Sequence, residues 1–278
     1  MPMSYKALLV DAGLDDAAAS RVRLAVGLAE RFGAHLLGVA ACGVMPLVTG
    51  PFGDTTVVSE IVEAEVQRVQ AALAAAAERF RAAAGTADRT AEWRAFVEAP
   101  GEALPREARA ADLLVIGRGG AAGDYYAAEP GDLLMRAGRP TLVVPPGIAA
   151  LQARCVLVAW KEGREARRAV ADALPFLAGA ERVVVLEVCE NEDERIAAQH
   201  HVDDVVALLS RHGARASGEV AVRHGRSAPD ELLGAAERLT ADLIVAGGYG
   251  RARLLEWVFG GVTRDLLTHS PVCCLLSH

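Results

Sequence analysis

The feature that most constrains the fold of this chain is an internal repeat that divides it into two halves. Three segments of the first half match three segments of the second half in the same order. The matching pairs are KALLV (6–10) with RCVLV (154–158), ADLLVIGRGG (111–120) with ADLIVAGGYG (241–250), and RPTLVVP (139–145) with SPVCCLL (270–276). A repeat this long indicates a duplicated domain and not a solenoid of short units. We therefore predict two domains within the 278 residues, at 1–147 and 153–278, each of ordinary domain size.

Each half alternates short apolar runs with longer amphipathic stretches, which is typical of a parallel sheet covered by helices. The predicted strands are 5–10, 35–41, 92–97, 112–116 and 141–144 in the first half, and 155–159, 182–188, 218–223, 243–246 and 272–276 in the second. The predicted helices are 16–32, 59–84, 102–110 and a short one near 132, then 164–177, 195–212, 229–239 and 262–268. This pattern predicts an α/β fold of two tandem Rossmann-like domains, each a five-stranded parallel sheet flanked by helices. In such sheets a ligand lies beyond the carboxyl ends of the strands.

Charge and composition argue against several classes of partner. The net charge is −7 and no basic run is present, whereas binding to nucleic acid requires a clustered positive face. The first apolar run ends at Asp11 and is too short for a signal-peptide core or a membrane span. The five cysteines are an odd number without a C-x-x-C pair, which favours reduced thiols. We expect a cytoplasmic protein that contacts neither nucleic acid nor membrane.

The second half contains a glycine-rich loop between its fourth strand and its last helix. Gly247 and Gly250 enclose two residues, and after nine more residues Gly260 and Gly261 precede the predicted helix. Glycines in such a loop let a bound group approach the backbone closely. The first turn of a helix adds unpaired N–H groups and the positive end of the helix dipole. The loop therefore predicts a binding site for a phosphate or another anion.

The spacing of these glycines, followed by Val262 and Thr263, resembles the nucleotide-binding signature of the universal stress protein (UspA) family. The resemblance extends over nearly the whole chain and implies a tandem two-domain member with an adenine nucleotide alpha hydrolase-like fold. Single-domain members pair through their last strands. The resemblance therefore implies an internal pseudo-dimer with a contact between 141–144 and 272–276, and leaves a homodimer of the whole chain open.

The resemblance also implies a role for each residue of the second-half site. Ala159 and Val188 border the adenine, Ala246 and Gly247 border the ribose, and the phosphates face Gly250, Gly260, Gly261, Val262 and Thr263. The implied ligand is ATP or ADP, with Mg²⁺ accompanying the phosphates of ATP. Two positions depart from the family pattern, because Gly261 stands where Ser or Thr is usual and Ala159 stands where Asp is usual. The missing hydroxyl weakens binding by about 1.5 to 3 kcal/mol but leaves the backbone donors in place.

The first half has the opposite pattern. Asp11 ends its first strand, as nucleotide-binding members require, and the resemblance implies weaker site positions at Asp11, Val39, Gly117 and Gly120. The remainder of this loop has changed, since Pro130 stands where the third glycine is expected and Asp132 follows Gly131. An aspartate at the start of a helix repels phosphate. The first half is therefore predicted to be the poorer binder.

Other patterns carry less chemistry. The segment GRGGAA (117–122) fits G-x-G-x-x-A but follows a fourth strand, and the chain has neither a phosphate-loop lysine motif nor a G-x-S-x-G elbow. His200 and Asp204 share a helical face, but the neighbouring His201 and Asp203 point elsewhere, which favours a solvated surface over a metal site. Three arginines, Arg251, Arg253 and Arg264, flank the glycine loop and either clamp phosphates or are solvated. We predict no metal site and identify no catalytic residue.

These observations support a stress-response or signalling protein that binds an adenine nucleotide in its second half without rapid hydrolysis. Two alternatives remain open at this point. One is an interaction protein that keeps the fold and has lost the ligand, which Gly261 and Ala159 favour. The other is a slow ATPase on the same sheet.

Overall fold

The chain alternates strand and helix throughout the part that the structure, a computed structural model, describes, which is residues 4–45, 55–85, 91–119, 125–223, 225–250 and 261–278. The strands are β1 (Ala7–Asp11), β2 (His35–Ala41), β3 (Ala91–Phe96), β4 (Leu113–Gly117), β5 (Thr141–Val144), β6 (Cys155–Trp160), β7 (Arg182–Cys189), β8 (Ala216–Val222), β9 (Leu243–Gly247) and β10 (Cys273–Ser277). The helices are α1 (Ala18–Phe32), α2 (Thr55–Ala84), α3 (Pro100–Glu107), α4 (Pro130–Arg136), α5 (Arg164–Leu177), α6 (Arg195–Arg211), α7 (Ala228–Leu239) and α8 (Gly261–His269). The predicted order and type of these elements are confirmed.

Two strands start two residues away from their predicted starts: β8 begins at Ala216 and not at Gly218, and β1 begins at Ala7 and not at Tyr5. The ring of Tyr5 packs against Phe176, with 5.7 Å between the ring centroids, and its hydroxyl donates a 2.5 Å hydrogen bond to the Asp172 carbonyl. These contacts with α5 hold Tyr5 outside the strand. A hydrophobic pattern cannot reveal these contacts, because it marks an apolar ring as buried whether the ring lies in a strand or packs against a helix.

The described residues form two compact units. The first is made of Lys6–Ala137 with Pro146–Ala150, and its parallel strands follow the order β3-β2-β1-β4. The second contains Gly138–Pro145 and Leu151–His278, and its strands follow the order β5-β10-β9-β6-β7-β8. The proposed domain boundaries at 147 and 153 remain a prediction.

The second unit contains one antiparallel pair in an otherwise parallel sheet. Strand β10 pairs with β5 in antiparallel register, with Cys274 opposite Val143 and Leu276 opposite Thr141. Its other neighbour, β9, runs parallel to it. The strand contact expected between 141–144 and 272–276 is therefore present.

Burial follows position in the sheet. The central strands β4, β6 and β9 have runs of four or five consecutive buried residues, so both of their faces are covered. Strands β3 and β8, each at the end of its strand order, are half-buried or exposed along their length. None of the described helices is both long enough and apolar enough to cross a membrane.

The repeated Ala-Asp pair before β4 and β9 has a structural role in both units. The carboxylate of Asp242 accepts hydrogen bonds from the backbone N–H groups of Arg154 and Cys155, at 3.0 and 3.1 Å. In the other unit, Asp112 accepts from the N–H groups of Lys6 and Ala7, at 2.7 and 3.0 Å. In each unit the aspartate ties the start of the fourth strand to the start of the first.

We expect Asp242→Ala to lower the free energy of unfolding by about 2 kcal/mol, because two backbone donors lose a charged acceptor. Asp242→Asn keeps one acceptor oxygen and should lose about half as much. Asp112→Ala is the matched change in the other unit and should cost a similar amount. Urea unfolding followed by circular dichroism measures these differences. Equal stability of the wild type and both alanine variants would contradict the role assigned to the aspartates.

Candidate functional site

The loop after β9 is held by a hydrogen bond between its backbone and α8. The N–H of Tyr249 donates to Thr263 Oγ1 at 3.2 Å, and both residues are buried. Tyr249 has φ of +49°, a left-handed conformation that costs a bulky residue about 1 to 3 kcal/mol. The hydrogen bond helps to keep the loop in this conformation. Thr263, predicted to face the phosphates, therefore braces the loop through its oxygen and retains its own proton for donation.

The glycines of this loop have different surroundings. A Cβ added to Gly247 would lie 2.6 Å from the backbone nitrogen of Ala166. Glycine is therefore required at this position, because α5 approaches closely. Gly250 and Gly261 are exposed, and a Cβ on Gly261 would meet no atom within 4 Å. Gly261 is the first residue of the nine-residue helix α8. Among the described residues, the backbone at Gly250 and Gly261 is thus uncovered, and we call it the cradle; its place at a helix N-terminus fits an anionic group.

Ala159 and Val188, expected to border the adenine, lie on the same face of the sheet as Ala246, expected to border the ribose. Ala159 of β6 and Ala246 of β9 are register partners and are buried. Val188 lies two residues beyond Leu186, the partner of Ala159 on β7, and is half-buried. Because alternate residues of a strand share a face, these three side chains project from the same side. Their small size leaves an apolar border without a hydrogen-bonding group.

Several sequence-predicted positions lie outside the described residues. They are Gly120, Arg251, Arg253 and Gly260. Arg264 is described and is exposed on α8, one residue after Thr263. Val262 is half-buried at the start of the same helix.

A carboxylate that the sequence argument did not single out also lies at this loop. Glu165, in the first turn of α5, is 8% exposed. Its Oε2 would be 3.2 Å from a Cβ on Gly163 and 3.8 Å from a Cβ on Gly250. Burial tends to raise the pKa of Glu165, but hydrogen bonds from Arg164 and from its own backbone N–H hold that pKa below its usual value. The carboxylate is therefore ionised at neutral pH.

Two buried polar atoms flank Gly247 on the face that α5 covers. Ser277 is the register partner of Gly247 on β10, and Trp160 follows the partner of Ala246 on β6. Ser277 Oγ and Trp160 Nε1 are both buried and have no hydrogen-bond partner among the described residues. A buried polar atom without a partner is costly, so such atoms commonly mark water or ligand positions.

In the first unit the equivalent place is filled by a side chain. Arg21 of α1 is 2% exposed, and its Nη1 would lie 2.5 Å from a Cβ on Gly117, the counterpart of Gly247. The guanidinium donates to the Asp11 carbonyl at 2.6 Å and to the Asp11 carboxylate at 3.2 Å. It also donates to both oxygens of Asp15, at 3.2 and 2.7 Å. Asp11, predicted as a ligand contact, is therefore paired with Arg21.

The ends of the same strands are also bridged by a loop contact. Gly43, two residues beyond β2, donates its N–H to the carbonyl of Tyr125 in the segment after β4, at 2.6 Å. Strand β1 lies between β2 and β4 in the sheet, so this bond spans the carboxyl end of β1. Val39, the remaining predicted position of this half, is fully buried within β2. The carboxyl edge of the first unit is thus occupied by the protein's own groups.

The remaining candidates form no metal site. His201 Nδ1 lies 3.2 Å from the buried carboxylate of Glu187, whereas Asp203 accepts a hydrogen bond from Gln199. Within the described ranges no group of three or more His, Cys, Asp or Glu side chains is placed to hold a metal ion. All five cysteines are free thiols.

A model of the Universal stress protein family matches residues 153–278, which contain the loop and cradle described above. This second half is a universal stress protein domain. No curated protein matches the chain.

Solved structures extend the comparison to the whole chain. A universal stress protein from Archaeoglobus fulgidus DSM 4304 is 15% identical, with a TM-score of 0.67 over 99% of this chain and 96% of its own. A Pseudomonas aeruginosa UCBPP-PA14 protein ascribed to the same family is 14% identical, with a TM-score of 0.58 over 98% and 93%. An Archaeoglobus fulgidus universal stress protein solved with dAMP is 25% identical, with a TM-score of 0.34 over 44% and 95%. The first two show that the whole chain has the fold of a tandem universal stress protein.

Two charged residues that shape these edges have only a weak signal in the sequence. Arg21 interrupts the buried stripe of α1 formed by Ala18, Val22 and Ala25, and a charge in an apolar stripe indicates a buried partner. Glu165 lies in the first turn of α5, which is the position of an ordinary helix-stabilising acid. Its approach to Gly250 depends on the packing of α5 over Gly247.

We expect Arg21→Met to lower the free energy of unfolding by about 3 kcal/mol at pH 7, because Asp11 would remain buried without its partner. Burial raises the pKa of Asp11. Burial also acts to raise the pKa of Asp15, but Arg21 holds that pKa below its usual value. Asp15 therefore adds stability above its ordinary pKa and loses it as the pH falls. The cost of Arg21→Met should shrink as the pH falls below about 4, because Asp15 becomes protonated there and Arg21 then has less negative charge to compensate.

Urea unfolding at several pH values tests this expectation. Arg23→Met, at an exposed position of the same helix, is the control and should change stability little. In the double variant Arg21→Met with Asp11→Asn, the cost should fall below the sum of the single costs. Additive costs that are independent of pH would refute the pairing.

Proposed function

We propose that this protein binds one adenine nucleotide per chain, ATP or ADP, at the carboxyl edge of its second unit. In this proposal it acts as a stress-response or signalling protein that holds the nucleotide without rapid hydrolysis. The observation that supports it most is the contrast between the two units. The backbone at Gly250 and Gly261 is open, whereas the corresponding edge of the first unit contains Arg21 and its two aspartates.

The cradle suits the anionic part of a nucleotide. Helix α8 begins at Gly261, which has no side chain of its own, so the backbone N–H groups of the first turn can face a phosphate. Val262 and Thr263 follow within the same turn, and the Thr263 hydroxyl proton is available as a further donor. With ATP, Mg²⁺ would share the charge of the phosphates.

The adjoining face suits the base. Ala159, Ala246 and Val188 present small apolar groups at the ends of three neighbouring strands. A flat base can pack against such a border, but no carboxylate is present there to hold its polar edge. We therefore expect affinity in the micromolar range or weaker, because little of the base is fixed by hydrogen bonds.

The same site favours binding of the nucleotide over its hydrolysis. Phosphoryl transfer requires a positioned nucleophile, charge clamps and a bound metal. The carboxylate at the described part of the loop is Glu165, which is paired with Arg164 at 2.6 Å. A bound nucleotide would instead alter the surface beside Gly250 that a partner protein meets. We place this function in the cytoplasm, where the five free thiols suit a reducing compartment.

A second candidate is an interaction protein that keeps the fold without a ligand. The first unit favours it directly, because there an arginine fills the edge that would hold a nucleotide. The second unit favours it as well, because Ala159 stands where the family pattern has an aspartate.

We expect titration calorimetry of the full chain with ADP or ATP to give a stoichiometry near one and a dissociation constant at or above the micromolar range. Gly250→Asp should abolish the binding, because the new carboxylate would lie in the open cradle. Gly120→Asp is the control at the repeat-related position of the other half and should leave binding unchanged. The absence of heat and of a thermal shift at millimolar nucleotide would favour the interaction protein.

A further inference from the structure

The position of Glu165 places a fixed negative charge inside the proposed site. Its Oε2 lies beside Gly163 and Gly250. A Cβ added to Gly163 would be 3.2 Å from this oxygen, and a Cβ added to Gly250 would be 3.8 Å from it. Its own Cβ would be 3.0 Å from a Cβ on Gly247. The residue is 8% exposed, and the backbones of three glycines lie beside it.

This carboxylate occupies the N-terminus of α5. Helix α5 begins at Arg164, and Gly163 before it has no side chain with which to cap the helix. One Glu165 oxygen, Oε1, accepts from Arg164 Nε at 2.6 Å, while the other faces Gly163 and Gly250. Arg164 is 79% exposed, so water screens its positive charge more than it screens the buried carboxylate. A phosphate approaching Gly250 therefore meets a negative charge at short range.

Besides Glu165 and its partner Arg164, His278 lies near Gly247, with its Nδ1 3.1 Å from the Gly248 carbonyl, and two uncharged polar atoms lie there as well. Ser277 Oγ and Trp160 Nε1 flank this glycine on the same face and have no partner in the described part of the chain. A hydroxyl and an indole N–H match sugar hydroxyls, whereas cations near Gly247 would favour a chain of phosphates. Two independent observations thus favour a ligand with a free ribose and few charges.

We propose that Glu165 limits the number of phosphates that the second-half site accepts, so that adenosine and AMP bind more tightly than ATP. This inference rests on the proposed function. The carboxylate accepts hydrogen bonds from ribose hydroxyls and repels the terminal phosphates, since two like charges about 4 Å apart interact strongly near a protein surface. Glu165 is in this sense a specificity-determining residue.

Titration calorimetry of the full chain with AMP and with ATP, in magnesium-free buffer, tests the proposal. For the wild type we expect AMP to bind at least about tenfold more tightly than ATP. Glu165→Gln keeps the shape and removes the charge, so ATP should bind about fivefold more tightly or better than to the wild type. Glu165→Asp keeps the charge and withdraws it by one methylene, and it should give an intermediate ratio.

Glu162→Gln is the control. Glu162 lies in the loop before α5, three residues from Glu165, is 40% exposed and pairs with Arg167. It should leave the ratio of the two dissociation constants unchanged. Added KCl should narrow this ratio in the wild type but not in Glu165→Gln, because salt screens only a charge that is present. A residue that only stabilises the start of α5 would change the melting temperature of the variant without changing the ratio.

The outcomes separate the two proposals. If the wild type binds AMP and ATP equally and Glu165→Gln leaves the ratio unchanged, the role of Glu165 is refuted while nucleotide binding stands. If neither protein binds adenosine, AMP or ATP, the proposed function fails and this inference fails with it. A ratio that favours AMP and collapses only in Glu165→Gln supports both.

Discussion

The carboxyl edges of both units depend on the absence of a Cβ at the last residue of the fourth strand. In the second unit that residue is Gly247, and the backbone of α5 approaches to within 2.6 Å of the position that a Cβ would take. In the first unit it is Gly117, and the guanidinium of Arg21 comes to within 2.5 Å of the same point. One repeated glycine thus admits a helix in one unit and a charged side chain in the other. This choice decides which edge remains open.

The charge at each edge follows from which group lies against this glycine. A buried arginine is tolerated only with compensating acceptors, and Arg21 has the carbonyl and carboxylate of Asp11 together with the carboxylate of Asp15. In the second unit the corresponding charge has the opposite sign. Glu165 lies at the first turn of α5, where the helix dipole favours a carboxylate. One half therefore contains a buried arginine, Arg21, paired with two aspartates. The other half contains the carboxylate of Glu165 beside the cradle.

This difference gives the two halves separate roles. The first unit is closed by the Gly43 to Tyr125 hydrogen bond and by Arg21, so its edge is suited to stability. The second unit retains a strained but braced loop at Tyr249 and an exposed helix start at Gly261. Duplication allows such a difference, because one copy can fill its edge with its own side chains while the other keeps an exposed backbone.

The sequence by itself determined the duplication, the order of the strands and helices, and the glycine loop before α8. Local patterns suffice for these features, because apolar periodicity and glycine spacing act through neighbouring residues. From Pro130 and Asp132, the sequence also predicts that the first half is the poorer binder. Only the tertiary structure showed that Arg21 fills the first edge, that Thr263 braces Tyr249, and that Glu165 faces Gly250. These contacts join residues 14 to 96 positions apart in the chain, and their distances depend on how α1, α5 and α8 pack on the sheet. No local pattern encodes that packing.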